Sequence, residues 1–473
     1  MRRRRLALRT AAAAAALALA LAGCGEREAA TRTAAAPARG APAAPAGRPH
    51  LVLVVIDTLR ADHVGCYGYE RDTTPHIDAL AAGGLRFARA IAPSSWTLPS
   101  LVTLMTGRHP DPVHLSMQAP DGGGGFAALA PQASTVAELL AAHGYRTAAV
   151  GTNPYQIQSV FQVMQGFQSL EVQVSAKADW VVDRAIARLD AARDGAPLFL
   201  YLHFMDAHTP YDPPAPFDRM FLDEDARSRP PAEGGPDWRE AERRKAIALY
   251  DAGIRFVDHE LGRLVEALEA RGLRSDTVLV VTADHGEAFG DHAELERRLG
   301  LRAAGSRHWG EGHGQSLFPE LLHVPLVIHG RGVPQSVEIG QQVRLIDLPA
   351  TLLALGGVPA IGGRGRDLLR FAQERERQPL HAVTETGAGG VPLRGLVTPE
   401  RTLLDVGGDP LLLREGPDGT MRDATAREPA AAAELDAELG RLAEVVPRAP
   451  AVTKQIEGVD ALKAQLRRLG YVR

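Results

Sequence analysis

Runs of consecutive apolar, largely β-branched residues punctuate the chain at 51–56 (LVLVVI), 147–150, 198–204, 277–282 (TVLVVT) and 325–328. A strand with one wet face alternates apolar and polar residues, whereas an unbroken apolar run reads as a strand covered on both faces. Between these runs lie stretches of helical period. The longest covers 238–270, where Ile247, Tyr250, Ile254, Val257, Leu261, Leu264 and Leu268 recur at alternating spacings of three and four. Gly272 ends it and the next strand follows. Strand–helix–strand alternation predicts an α/β fold, a mostly parallel sheet sandwiched by helices. Ligands of such sheets sit beyond the carboxyl ends of the strands. Residues that carry chemistry are therefore expected directly after the apolar runs.

The first fifty residues depart from this pattern. Arg2 to Arg5 are basic and residues 11–22 are apolar, too short a run for a membrane-spanning helix, which takes ~20 residues. Leu21-Ala22-Gly23-Cys24 is similar to a bacterial lipobox. Residues 1–23 then form a lipoprotein signal peptide and Cys24 is the lipid attachment site. Residues 24–47, rich in Ala and Pro, read as a tether. The mature protein is expected in the cell envelope, lipid-anchored on the periplasmic or outer side of a bacterial membrane, which it meets through that lipid only. The body divides into a large α/β domain over 48–375 and a smaller C-terminal α+β portion over 376–473. A strand near 381–384 and a helix near 430–442 are expected in the latter.

Charge and cysteine content narrow the function. Lys+Arg total 53 against 57 Asp+Glu, a net charge of −4 over 473 residues, so no general basic field attracts nucleic acid. The two cysteines, Cys24 and Cys66, exclude a disulfide framework, and Cys66 reads as a small buried residue. No internal repeat is visible. Residues 210–216 and 121–125 read as loops, while 223–229 and 294–307 are mixed-charge inserts read as solvated surface. Arg297, Arg298, Arg302 and Arg307 of the second insert nevertheless flank the expected site.

That site starts from Asp57, directly after the first strand, and Asp284-His285, directly after the run at 277–282. Two carboxylates and an imidazole at strand ends form half a cage for one divalent ion. Hard oxygens favour Ca²⁺ or Mg²⁺, and the imidazole keeps Mn²⁺ and Zn²⁺ open.

Further segments carry a resemblance. They are Asp57-Thr58-Leu59-Arg60-Ala61-Asp62-His63, Thr73-Thr74-Pro75-His76-Ile77-Asp78-Ala79-Leu80 and Thr97-Leu98-Pro99-Ser100. Asp206-Ala207-His208-Thr209-Pro210-Tyr211, His313-Gly314-Gln315-Ser316-Leu317 and Leu345-Ile346-Asp347-Leu348 continue the series. In this order they resemble the sulfatases, within the alkaline-phosphatase-like superfamily, over about residues 48–440. The resemblance implies that superfamily's fold, with a small antiparallel sheet near the C-terminus, and hydrolysis of sulfate or phosphate esters.

The pattern breaks at the nucleophile. Formylglycine sulfatases start this motif with Cys or Ser in the form C/S-x-P-x-R, whereas this chain has Thr97 first and Leu101 fifth. No formylglycine is expected. The expected lysine after Gly144 to Gly151 is missing, and His313 stands where sulfatases often carry another. The only lysines are Lys177, Lys245, Lys454 and Lys463, all outside these motifs. Threonine nucleophiles occur in superfamily members resembling phosphodiesterases and phosphonate-ester hydrolases. By that resemblance Asp57, Thr97, Asp284 and His285 hold one metal ion, and Thr97 attacks the ester. His208 and His313 hold the non-bridging oxygens or protonate the leaving group.

His292 and His308 are candidates for a second ion. His63, His109 and His114 read as packing or hydrogen-bonding residues, Trp96 as a neighbour of the nucleophile turn, and Glu385 as structural. The substrate is a small-molecule, glycan or lipid ester. A transferase of phosphoglycerol or phosphoethanolamine type remains an alternative, as does a catalytically silent, sulfatase-shaped binding protein.

Overall fold

The computed structural model describes residues 47–115, 126–191, 195–223, 238–303, 306, 308–360, 365–374, 376–387, 392–416, 419–454, 464 and 466. The signal peptide, Cys24, most of the tether, the loop at 121–125 and nearly all of the first insert lie outside them.

Eight strands form the main sheet: β1 (His50–Ile56), β2 (Leu85–Phe87), β3 (Arg146–Gly151), β4 (Ser169–Val172), β5 (Leu198–Phe204), β6 (Thr277–Thr282), β7 (Leu326–Gly330) and β8 (Val337–Ile339). Their order is β8-β2-β7-β6-β1-β5-β3-β4. The five strands from β6 to β4 run parallel. β7 pairs antiparallel with both β6 and β2, so the apolar run near 325 is the exception in a mainly parallel sheet. β1 sits at the centre, and every residue from Leu51 to Ile56 is fully buried. That is why its sequence shows no alternation.

Among the described residues the helices of seven or more residues are α1 (Pro75–Gly83), α2 (Thr97–Thr106), α3 (Val136–Ala142), α4 (Ala178–Ala191), α5 (Trp238–Ala270), α6 (Ala293–Leu299), α7 (Leu348–Leu355) and α8 (Pro429–Val445). α5 packs against both α1 and α4, while α2, α3 and α7 pack together. The 33-residue α5 follows the sequence period from end to end. Its stop, Gly272, has φ +66°, a left-handed conformation that costs glycine little. Among the described residues no helix is long and apolar enough to cross a membrane.

Five antiparallel strands make the second sheet: β9 (Ala382–Thr386), β10 (Leu393–Val397), β11 (Arg401–Val406), β12 (Asp409–Glu415) and β13 (Met421–Asp423). Successive side chains on a strand face opposite ways. Leu393, Val397, Leu404 and Leu413 accordingly join the main core, while Leu396, Leu403 and Leu412 form a small core with Leu435 and Leu439 of α8. Glu385 on β9 is buried and takes Arg448 at 2.7 and 2.8 Å and Arg394 at 3.0 Å. Its role is structural.

The second mixed-charge insert is not simply solvated surface. It contains α6, whose Glu296 is fully buried. Glu296 accepts from Ser316 Oγ at 2.7 Å, Gly310 N at 2.9 Å and Gln315 Nε2 at 3.2 Å. A buried carboxylate with three donors ties the insert down to the segment that bears His313. Of the arginines, Arg297 pairs with Glu294 at the surface and Arg302 lies over the Trp309 ring.

Candidate metal and catalytic site

Four neighbouring parallel strands, β6, β1, β5 and β3, deliver the site from their carboxyl ends. Asp57 follows β1, Asp284 and His285 follow β6, His203 lies one residue from the end of β5, and Asn153 stands two residues beyond β3. The carboxyl ends of neighbouring parallel strands converge here.

Each carboxylate spends one oxygen on the protein. Asp57 Oδ2 accepts from Asn153 Nδ2 at 2.6 Å and His203 Nε2 at 3.0 Å. Asp284 Oδ1 accepts from the backbone N–H of His285 at 3.0 Å and of Thr58 at 3.4 Å. The other two oxygens, Asp57 Oδ1 and Asp284 Oδ2, are buried and accept no hydrogen bond. His285 Nε2 lies 3.7 Å from the first and 3.5 Å from the second. Its Nδ1 faces the Gly286 carbonyl at 2.9 Å. A carbonyl can only accept, so Nδ1 carries the proton and Nε2 presents its lone pair to the carboxylates.

The turn that brings these atoms together is strained. Thr58 has φ +60°, an outlier for a β-branched residue. The Tyr250 hydroxyl holds it, donating to the Thr58 carbonyl at 2.8 Å and accepting from Arg60 N–H at 2.9 Å. Across the site Gly286 leaves no room for a side chain, since a Cβ there would stand 2.0 Å from the Glu320 carbonyl oxygen.

Thr97 opens the ten-residue α2, with Pro99 in its first turn, where a missing N–H does no harm. The threonine is fully buried, and its hydroxyl donates to His285 Nε2 at 3.2 Å. Trp96, just before it, packs edge-on against Tyr155. Two more histidines complete the ring: the His313 ring centroid is 4.6 Å from that of His285 and 4.9 Å from that of His208. His313 Nδ1 is 3.1 Å from Glu287 Oε1, and His208 Nδ1 donates to the Thr209 carbonyl. The structure therefore gathers Asp57, Thr97, His208, Asp284, His285 and His313 in one place.

Their environments set different protonation states. Burial and the charge of Asp57 push the Asp284 carboxyl well above the usual carboxylate range. Burial alone would raise Asp57 as well, but the His203 hydrogen bond and the surrounding imidazoles hold it below that range. Two acids so close cannot both ionise unaided. Burial pushes His285 down to about 3, with His313 adding to the effect, and burial also lowers His208. For His313 burial acts the same way, but the charge and hydrogen bond of Glu287 overcome it and raise the imidazole. Two bare buried carboxylate oxygens and an imidazole lone pair, short of positive charge, fit a divalent cation.

Sequence reasoning missed His203, Asn153 and the Glu287 partner of His313. A signal for His203 existed, because a polar residue inside the apolar run 198–204 must find a buried partner. Asp57, His203 and Asp284 also form a cluster of metal-ligating types among the described residues. Both nitrogens of His203 are engaged, however, by Asp57 and by the Tyr201 hydroxyl at 2.7 Å, so His285 is the better imidazole donor. His292 does not supply a second centre. Its Nδ1 lies 2.9 Å from Glu320 and its Nε2 accepts from Met421 N at 2.9 Å. His308 bonds through its backbone to Ser306. His63 meets Asp251 at 2.7 Å, and His114 Nδ1 accepts from Asp111 N.

Residues 49–358 match the family model of the sulfatases. The chain belongs to the sulfatase family. Human iduronate 2-sulfatase is 25% identical over 362 residues, 62% of this chain and 62% of that protein, so less than two thirds of that relative is spanned. Among solved structures, the phosphonate monoester hydrolase of Agrobacterium radiobacter superposes with a TM-score of 0.67 at 19% identity. The match takes in 86% of this chain and 100% of that one. A protein solved with its substrate D-glucosamine-2-N,6-O-disulfate gives 0.65 at 17% identity, covering 84% and 98%. At these identities the superpositions establish the fold.

Proposed function

We propose that this sulfatase-family protein is a divalent-cation-dependent hydrolase of sulfate or phosphate-type esters, with Thr97 as nucleophile, held at the cell envelope through Cys24. The observation that carries the reading is the Thr97 hydroxyl, 3.2 Å from His285 Nε2 at the N-terminus of α2, beside two bare carboxylate oxygens. Asp57 Oδ1, Asp284 Oδ2, His285 Nε2 and Thr97 Oγ1 would hold the cation. When bound, it acidifies the threonine hydroxyl and offsets the negative charge of the ester.

The remaining work falls to the chain. The positive end of the α2 dipole favours an anionic group beside Thr97. Thr97, whose hydroxyl proton has passed to solvent, attacks sulfur or phosphorus through Oγ in line with the ester oxygen, which departs with a proton from His313. Glu287 keeps that imidazole charged for the task, and the same positive ring steadies the non-bridging oxygens. Water then cleaves the ester formed on Thr97, giving its proton to His208, whose imidazole burial keeps neutral, and Thr97 Oγ departs as the alkoxide. That proton passes from His208 to the neighbouring His313, which restores the starting state.

Thr97 and Leu101 together exclude the C/S-x-P-x-R motif, and the groups that lower Asp57 are imidazoles rather than lysines. Both facts favour phosphoester over sulfate chemistry. Relatives named for sulfate and phosphonate esters mark out the range. The deciding experiment compares kcat/KM for matched aryl sulfate, phosphate monoester and phosphate diester substrates on the cation-loaded full chain, with Thr97→Ala as background. A Thr97-dependent preference for either phosphate ester is expected. A preference for sulfate would show that threonine serves where formylglycine was expected. Absence of Thr97-dependent turnover on all three would sink the hydrolase reading. The anchor has its own check: Cys24→Ser should move the protein from the membrane to the soluble fraction, and an unchanged distribution would refute lipid attachment there.

A further inference from the structure

Asp57 is gripped on one side only. Asn153 Nδ2 and His203 Nε2 both donate to Oδ2, at 2.6 and 3.0 Å, and leave Oδ1 bare and buried. Neither donor is free to turn. Asn153 Oδ1 accepts from Tyr155 N–H at 2.8 Å, which aims the amide nitrogen at Asp57. His203 Nδ1 lies 2.7 Å from the Tyr201 hydroxyl. With Nε2 donating to a carboxylate, Nδ1 is the acceptor and the phenol is the donor. Burial and the charges of Asp284 and Asp57 raise the Tyr201 phenol well above its ordinary value, so it keeps the proton it donates.

The sheet explains why this latch is rigid. Tyr201 and His203 are two residues apart on β5 and share a face. His203 is flanked in register by Val55 of β1 and Gly151 of β3, and it is fully buried. Its ring is held on the sheet face by these buried surroundings and by its two partners, Asp57 and Tyr201.

We infer that His203, backed by Tyr201, is a positioning residue that locks Asp57 so that a single oxygen, Oδ1, meets the cation. The inference rests on the cation-dependent reading above. A carboxylate without the latch can rotate and offer either oxygen or both, and the geometry at His285 is lost. Partners of this kind, one bond removed from a metal, orient the ligand and tune its charge.

The test is Mn²⁺ binding to the full chain by titration calorimetry, with the unfolding midpoint of the metal-free protein followed in parallel. His203→Leu, close in volume but without a donor, should weaken Mn²⁺ binding by about 10–100-fold. His203→Gln, whose amide nitrogen can reach Oδ2, should recover most of that loss. Tyr201→Phe should weaken binding less than His203→Leu. Unchanged affinity in a folded His203→Leu protein overturns the inference, as does a His203→Gln protein no better than the leucine variant. If His203→Leu does not fold, Tyr201→Phe decides, and unchanged affinity there overturns the latch. Wild-type protein that binds no Mn²⁺ overturns the latch together with the cation reading. Wild-type binding with indifferent variants overturns the latch alone.

Discussion

Replacing Thr97 with alanine should lower kcat by on the order of 10⁴-fold or more on every accepted ester, the scale seen when a covalent nucleophile is removed. The fold should hardly notice. Thr97 is buried and donates one hydrogen bond, to His285 Nε2. Losing a single neutral bond of that type costs about 1 kcal/mol, and alanine favours the helix that Thr97 begins. Thr97→Ser keeps the hydroxyl and should retain a measurable share of the activity. The pair of variants separates chemistry from packing, because both remove the same methyl group. Turnover that survives in Thr97→Ala at an unchanged unfolding midpoint would show that another group attacks the ester.

Removing divalent ions with a chelator should abolish activity, and the pH dependence of cation binding should identify the cause. In the metal-free site Asp284 is pushed above the usual carboxylate range by burial and by Asp57. Cation binding must displace the Asp284 proton, so affinity should rise with pH, by up to about tenfold per unit while that proton is held. Stability of the metal-free protein should run the other way. A carboxyl whose folded pKa lies above its unfolded value contributes stability that is fully present below the unfolded value. That contribution is lost as pH rises through the folded value. Added cation should reverse the loss, since it replaces the proton between the two acids. Calorimetric titrations across pH, repeated on Asp284→Asn, check both halves. A pH-independent affinity in the wild type would mean that Asp284 is not where the cation binds.

Much of this site was legible because its residues sit at the ends of elements with strong patterns. The runs at 51–56 and 277–282 are six residues long and rich in β-branched residues, which favours a strand buried on both faces over a helix. Asp57 and Asp284 then fall at its carboxyl end by position alone. The helix that Thr97 opens, α2, is by contrast not legible in the sequence, where the segment stands only as a nucleophile motif. The insert at 294–307 illustrates the opposite case. Its alternating charges look like solvated surface, yet Glu296 is buried beneath them. Its partners, Ser316, Gln315 and Gly310, become neighbours only when the chain doubles back. The antiparallel sense of β7 was hidden for a related reason. An apolar run declares that a strand is buried, but direction depends on the connection before it.

The sequence by itself determined the parallel α/β architecture, the family, the two acids at strand ends and the break at the nucleophile. Each of these is written in local period or in residues adjacent along the chain. Only the tertiary structure decided which oxygen of each acid is bare, which histidine nitrogen faces them, and that His203 donates to Asp57 Oδ2. Those outcomes depend on hydrogen bonds between strands far apart in sequence. Asp57 and His203 stand 146 residues apart and Asp57 and Asn153 stand 96 apart. No local pattern reports a pairing that sheet register alone creates.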